Sequence, residues 1–435
     1  MTDCIRLRLL ERMPLHWPTM RVAILVAALA SMAFGSARAE PVAFAPPLVD
    51  RMDTAVYKAP QVYPFAAMDK GDVKAIFYQG LPYQGHETRV FAYLGVPKTL
   101  AGQPAGGKKV PAMVLVHGGG GTAFPEWVAI WNQRGYAAVA MDLEGHVPTD
   151  NPRKHAPHEH SGPAKDRYFF DGGKPLQEQW GYHAVADVML AQSLLASLPE
   201  VDAERIGLTG ITWGGVMTSM VSGVDSRFKC AVPVYGCGFL YESKSAFKNM
   251  FDPDPAVFGP RKSWDPAEHF VRAKMPILWI SGDADAHFSV DVLSRSHQAY
   301  GGLSRLCIHP AMAHGHRPGY DPASVPELYV FVDSVLVGGT PLGRVTRQPV
   351  GRDAVLEYES PCAIVSAEVR YLTEPLAYDA KNKLVSVWKK MDAQVIDKTC
   401  TVKATLPEDV QVYYVNLRDD RACILSSNLI QVKQP

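Results

Sequence analysis

The sequence lacks an excess of either charge: 44 lysines and arginines stand against 44 aspartates and glutamates in 435 residues. Without a clustered basic stripe, the electrostatic footprint that nucleic acid or an anionic membrane surface requires is missing. A small molecule or a neutral carbohydrate fits such a surface better. Cysteine is scarce, at seven residues, and no CxxC or Cys/His spacing suggests structural zinc. No glycine loop ends in Gly-Lys-Ser/Thr, and no GxGxxG is followed by a ribose-binding acid, so nucleotide binding is not indicated and no cofactor is expected. The apolar run at 22–34 falls short of the roughly twenty residues that span a bilayer.

What is present begins with that run. Met20 and Arg21 precede it and Ala37-Arg38-Ala39 follow it, the pattern of a secretory signal peptide over 1–39, with the mature chain starting near Glu40. The leader is awkwardly long, which points to Met20 as the true start. A periplasmic or secreted protein with no stable membrane anchor after cleavage is expected. Export permits disulfides. One pair is expected among Cys362, Cys400 and Cys423, whereas Cys230 and Cys237 sit in an apolar stretch and read equally well as buried free thiols.

After an N-terminal extension over 40–71, residues 72–342 alternate short β-branched runs with helical patterns, the order of a mostly parallel sheet flanked by helices. Segments 75–78 and 89–96 read as an opening antiparallel pair. Core strands are expected at 112–116, 137–141, 206–208, 231–234, 277–280 and 306–309, and helices at 126–134, 182–198, after Gly214, 290–300 and 325–337. Two long excursions, 145–179 and 238–269, break the rhythm and read as lid or binding loops. Beyond the turn at Pro341-Leu342-Gly343 only strands are expected, at 363–372, 384–395, 399–404 and 410–416, so 350–435 reads as a small β-sandwich-like domain. The fold class is α/β.

Chemistry concentrates at three strand ends. His117 and the run Gly118 to Gly121 follow the strand at 112–116, where backbone N–H groups unobstructed by side chains can form an oxyanion hole; Gly119 and Gly120 are its candidates. The segment Gly210-Ile211-Thr212-Trp213-Gly214 has the form of a nucleophile elbow, G-x-S-x-G, with Thr212 at the serine position and Trp213 supplying a further oxyanion N–H. A β-branched residue is strained there by about 1–3 kcal/mol, although threonine serves as a nucleophile when a base activates it. Without such activation the segment reads as a degenerate hydrolase that only binds, or as a site where histidine polarises water.

The acid and base follow in the order nucleophile, acid, histidine. Asp285 lies in Ser281-Gly282-Asp283-Ala284-Asp285, with Asp283 as the fallback acid, and His314 lies in the loop Ala311 to Arg317, with His316 as the alternative. His117, Trp180, Tyr182 and His183 are expected at the substrate pocket, although core packing explains the aromatics equally. His155, His158 and His160 cluster in the first excursion, where Pro, Lys and Glu neighbours read as a solvated lid and no metal is expected.

Together, His117 to Gly121, Met141 to His146, Gln179 to His183, the elbow, Val234 to Gly238 and His314-Gly315-His316 resemble the bacterial dienelactone hydrolases and acetyl xylan esterases of the α/β-hydrolase fold, over about residues 72–342. The resemblance implies hydrolysis of carboxylic esters through an acyl-enzyme, with carbohydrate acetyl esters as the leading substrate class and prolyl-oligopeptidase-like peptidases as relatives. This sequence departs from the pattern at Thr212, where relatives carry serine, and that departure bears on activity rather than on fold. The C-terminal β-region looks like the tail of large exported members.

Overall fold

Runs such as Val110–Val116 and Ala137–Met141 are apolar at nearly every position, so both faces of their strands need cover. The computed structural model, which describes residues 47–97, 109–149, 155–165, 171–245, 263–315, 325–379, 381 and 383–432, places these strands in the middle of a nine-stranded sheet. Its members are β1 (Val62–Pro64), β2 (Lys74–Gln79), β3 (Arg89–Gly95), β4 (Val110–Val116), β5 (Ala137–Met141), β8 (Val201–Ile211), β9 (Cys230–Val234), β10 (Ile277–Gly282) and β11 (Ser304–His309), in the order β1-β2-β3-β5-β4-β8-β9-β10-β11. The pairs from β1 through β3 to β5 are antiparallel, and those from β5 to β11 are parallel. Helices Pro125–Gln133, Trp180–Ser197, Trp213–Val221, Val290–Ala299 and Pro326–Leu336 connect the strands. The opening antiparallel pair, the parallel core and all five helices agree with the sequence pattern to within a few residues at their ends.

Trp180–Ser197 carries buried residues around almost its whole circumference, as a helix pressed between the sheet and a further layer must. The first excursion, 145–179, contains a short hairpin of β6 (His146–Pro148) and β7 (His155–Pro157). It meets the second excursion where Trp264, fully buried, donates its indole N–H to Gln179 Oε1 at 2.7 Å. Residues 246–262, with Phe251 and Phe258, lie outside the described residues, as do 1–39, where a signal peptide is expected, and His316.

The C-terminal region forms one antiparallel sheet of eight strands: β12 (Arg344–Arg347), β13 (Ala354–Glu359), β14 (Ile364–Leu372), β15 (Lys389–Ile396), β16 (Thr401–Ala404), β17 (Val412–Asp419), β18 (Ile424–Ser426) and β19 (Ile430–Gln431). Its order is β12-β13-β16-β15-β14-β17-β18, with β19 also on β17. Leu356, Val369, Val402, Val415 and Leu417, from both halves of that path, share one core, so the sheet curls over itself in a nearly barrel-like form. The strand expected from residue 384 starts at Lys389 instead, because Ser386 Oγ accepts from Ala377 N and donates to Pro375 O, pinning the preceding residues in a loop.

This sheet covers the β11 edge of the larger one. Ile308 N donates to Ser426 Oγ (2.8 Å), Asn416 Nδ2 to Ile308 O (3.0 Å), and Ile424 N to the buried Glu327 Oε1 (2.7 Å). An edge strand so covered offers no template for a foreign strand. All the described residues fall within one compact unit, Pro46–Pro435. No disulfide joins Cys362, Cys400 and Cys423, contrary to expectation: all three are free thiols, and Cys400 is exposed while Cys423 is buried. Among the described residues no helix is long and apolar enough to cross a membrane.

Candidate active site

The elbow is built by close approach of backbones. A Cβ on Gly210 would lie 2.3 Å from Gly214 O, and one on Gly214 would lie 2.1 Å from Val116 O, so only glycine lets β8 turn straight into its helix beneath the β4 strand end. Thr212 sits at the tip with φ 50° and ψ −115°, a conformation that costs a β-branched residue of order 1–3 kcal/mol. Neighbouring hydrogen bonds hold it there: Thr212 N donates to Val234 O, and Val216 N to Thr212 O, both at 2.9 Å. Its methyl faces the glycine run, since a Cβ on Gly118 would lie 1.9 Å from Thr212 Cγ2. Trp213 follows as the first helical residue, with its N–H at the start of the helix.

Asp285 and His314 meet as expected, with Nδ1 of the imidazole 3.0 Å from Oδ2 of the carboxylate. Asp285 is almost fully buried, and its other oxygen accepts from His287 N (2.7 Å) and Phe288 N (2.9 Å). His314 lies among rings: Tyr235 edge-on at 5.2 Å, Phe288 at 5.8 Å and His287 tilted 32° at 4.3 Å between centroids. Burial, and then the His314 imidazole beside it, pull the pKa of His287 below its ordinary value, with Asp285 opposing. Among the described residues no hydrogen bond joins Thr212 Oγ1 to His314, which is common before substrate draws such a pair together.

The fallback acid has a different role. Asp283 is also buried, but its carboxylate accepts from Ala311 N, Arg370 and Tyr414, away from His314.

In the glycine run, Gly120 (φ 73°) gives its N–H to Glu144 Oε1 at 2.9 Å. Burial raises the Glu144 pKa, yet the paired Lys165 ammonium, His117 and that N–H outweigh it and hold the carboxyl below its ordinary value. The N–H of exposed Gly119 has no protein acceptor among the described residues.

The four residues expected at the pocket each make hydrogen bonds to neighbouring loops. His117 is buried, bridging Gly118 O (2.6 Å) and Leu143 N (2.9 Å). Trp180 gives its indole N–H to Leu143 O, Tyr182 accepts from Asp53 N, and His183 Nε2 meets Gln177 O. Their polar atoms serve the neighbouring loops because those loops bring backbone groups into the interior that need partners. Tyr235 and His287 went unassigned in the sequence, although the positions beside the acid and after β9 were in view. What places them is the three-dimensional convergence of β9, β10 and β11.

Among the described residues, three groups of side chains have ligand atoms within 4.8 Å of one another: Asp285, His287 and His314; Cys307, His309 and Glu327; and Cys362, Asp419 and Asp420. The histidines of the first excursion are not among them. His155 lies on β7, His158 packs on Phe77 with centroids 4.9 Å apart, and His160 faces Glu159.

The chain matches the acetyl xylan esterase family over residues 55–250 and the prolyl oligopeptidase family over 172–338. It is 25% identical over 203 residues to the uncharacterized peptidase YuxL of Bacillus subtilis, covering 42% of this chain but only about a quarter (27%) of that relative. In fold it is similar to the acetyl xylan esterase from Paenibacillus sp. R4 (TM-score 0.51, 19% identity, 66% of this chain and 91% of the other). It is likewise similar to acetyl xylan esterase 1 from Thermoanaerobacterium sp. JW/SL YS485 (TM-score 0.50, 16% identity, 63% and 87%). The chain has the α/β-hydrolase fold, and the acetyl xylan esterase and prolyl oligopeptidase family matches overlap across the segment that carries the elbow.

Proposed function

We propose that this is an exported enzyme that cleaves carboxylic esters, with carbohydrate acetyl esters as the substrate class, through an acyl-enzyme on Thr212. The carrying observation is the Asp285–His314 contact at 3.0 Å together with the strained φ of Thr212 at the end of β8. In this reading Thr212 Oγ1 attacks the ester carbonyl carbon while His314 Nε2 takes its proton. Asp285 holds the imidazole in the required tautomer and stabilises its cation. The N–H groups of Gly119 and Trp213 bind the developing oxyanion; Gly120, committed to Glu144, is left out. The tetrahedral intermediate expels the alcohol, which receives the proton from His314. Water, with His314 as base, then releases the acid and restores Thr212.

The acetyl xylan esterase match over 55–250 supports the substrate class, and the leader pattern over 1–39 supports export. A second reading, a peptidase, draws on the prolyl oligopeptidase match over 172–338, which spans the elbow, acid and base.

Wild type, Thr212→Ala and Thr212→Ser are assayed with 4-nitrophenyl acetate, an acetylated xylan oligosaccharide and aminoacyl anilides, with peptide mapping for an acyl adduct. Ester turnover lost in Thr212→Ala, with the adduct on residue 212, supports the reading. An inert wild type beside an active Thr212→Ser refutes it and leaves a hydrolase scaffold that binds without turnover. Turnover of anilides alone favours the peptidase.

A further inference from the structure

Asp283 joins three parts of the chain. Its Oδ2 accepts from Tyr414 Oη at 2.9 Å and from Arg370 Nη2 and Nε at 3.2 and 3.3 Å, its Oδ1 accepts from Ala311 N at 2.6 Å, and its backbone carbonyl accepts from Trp388 Nε1 at 2.9 Å. Asp283 lies two residues before Asp285 on the loop that follows β10. Ala311 lies three before His314 on the loop that follows β11. Arg370 and Tyr414 belong to the C-terminal sheet, where they are direct partners across β14 and β17 and therefore face the same side, and the ring of Trp388, the residue just before β15, meets Tyr414 edge-on at 5.3 Å. The two loops also touch directly, because a Cβ on Gly282 would lie 1.8 Å from Met312 O.

A buried carboxylate needs charged or hydrogen-bonding partners, and Asp283 draws them from the C-terminal sheet and the base loop at once. We propose that the C-terminal sheet is part of the catalytic apparatus. Arg370, Tyr414 and Trp388 are positioning residues that, through Asp283, fix the acid loop against the base loop so that Asp285 meets His314. This rests on the assignment of Asp285 and His314 as acid and base. Groups that support a reacting side chain in this way set its orientation to within a fraction of an ångström, and a misplacement of about 1 Å costs roughly a hundredfold in rate.

The test uses the full chain with Arg370→Ala, Arg370→Lys and Tyr414→Phe. The control is Arg421→Ala, which breaks another partly buried pair of the same sheet, with Asp419 at 2.6 Å, on the side that binds Thr340 O and Pro341 O. Two readouts are taken: kcat and KM on 4-nitrophenyl acetate, and the low-field proton resonance of the His314 ring N–H facing Asp285, assigned by its absence in His314→Gln. Arg370→Ala and Tyr414→Phe are expected to lower kcat by about tenfold to a hundredfold with KM within about twofold, and to lose or shift the resonance. Arg370→Lys regains part of both, and Arg421→Ala lowers the melting temperature without changing either.

The proposal is overturned if Arg370→Ala keeps wild-type kcat and resonance, or if Arg421→Ala loses both equally, which would make the effect one of general docking. An inert wild type whose resonance still follows Arg370 and Tyr414 refutes the Thr212 mechanism and upholds the positioning role. Ester turnover with a resonance indifferent to these substitutions does the reverse.

Discussion

Gly118→Ala tests the placement of the threonine methyl. The added Cβ would lie 1.9 Å from Thr212 Cγ2, where carbon atoms prefer about 3.5–4.0 Å, so one side must give way by more than an ångström. The Thr212 backbone cannot retreat, since its N–H is bonded to Val234 O and its carbonyl to Val216 N. Rotation about χ1 remains, and it would carry Oγ1 away from its place above the sheet along with the methyl. Overpacking of this kind costs about 1–3 kcal/mol. In a Thr212→Ser background Cγ2 is gone and the nearest remaining atoms, Ile211 O and Cβ of residue 212, both stand 3.4 Å away. There the alanine should cost less than about 0.5 kcal/mol, within the range of ordinary substitutions. Urea unfolding of the wild type, both single variants and the double variant closes a cycle whose coupling should be about 1–3 kcal/mol, with a matching rescue of ester turnover in the double variant. Equal penalties for Gly118→Ala in the two backgrounds would refute the reasoning and place the methyl elsewhere.

Two further outcomes follow from the same site and its neighbour. Asp285→Asn should lower kcat by about 10⁴-fold, because the amide oxygen stays with His287 N and Phe288 N and turns its NH₂ toward His314 Nδ1, leaving the proton on Nε2; a loss below tenfold in steady-state assays would remove Asp285 from the mechanism. Asp265 is fully buried, and burial, against three backbone N–H bonds, raises its pKa from 3.8 to about 6. A raised folded pKa stabilises the protein below the unfolded value and loses that contribution as pH climbs through about 6, so wild type should gain about 2 kcal/mol relative to Asp265→Asn between pH 7.5 and pH 4, where the unfolded carboxyl is only partly protonated. A stability difference in urea that is flat across that interval would contradict it.

The strands and helices of the larger sheet were legible because their signals are local. Apolar runs of five to seven residues, glycines at the elbow and an acid and a histidine after successive strands all leave marks within a few neighbouring positions. Asp283 and Asp285 could be ranked but not explained from the loop alone, since the partners that occupy Asp283 come from positions 370, 388 and 414. The same limit applies to the four residues expected at the pocket. A buried imidazole or indole beside a motif looks alike whether it faces a ligand or a loop carbonyl, and Tyr182 is accounted for only by Asp53 N, 129 positions earlier. Gly120 was indistinguishable from Gly119 until Glu144 claimed its amide. The short strands Ile424–Ser426 and Ile430–Gln431 carry too few alternations to register as strands at all.

The bond from Tyr414 to Asp283 spans 131 positions, and that from Ser426 to Ile308 spans 118. A ribosome therefore releases Thr212, Asp285 and His314 before it releases the residues of the C-terminal sheet that bond Asp283. A chain up to residue 342 contains all three proposed reacting groups, but neither Arg370 nor Tyr414, the partners of Asp283 Oδ2. If Arg370 and Tyr414 position the acid loop as proposed, a chain cut at residue 342 would carry Thr212, Asp285 and His314 without the partners of Asp283.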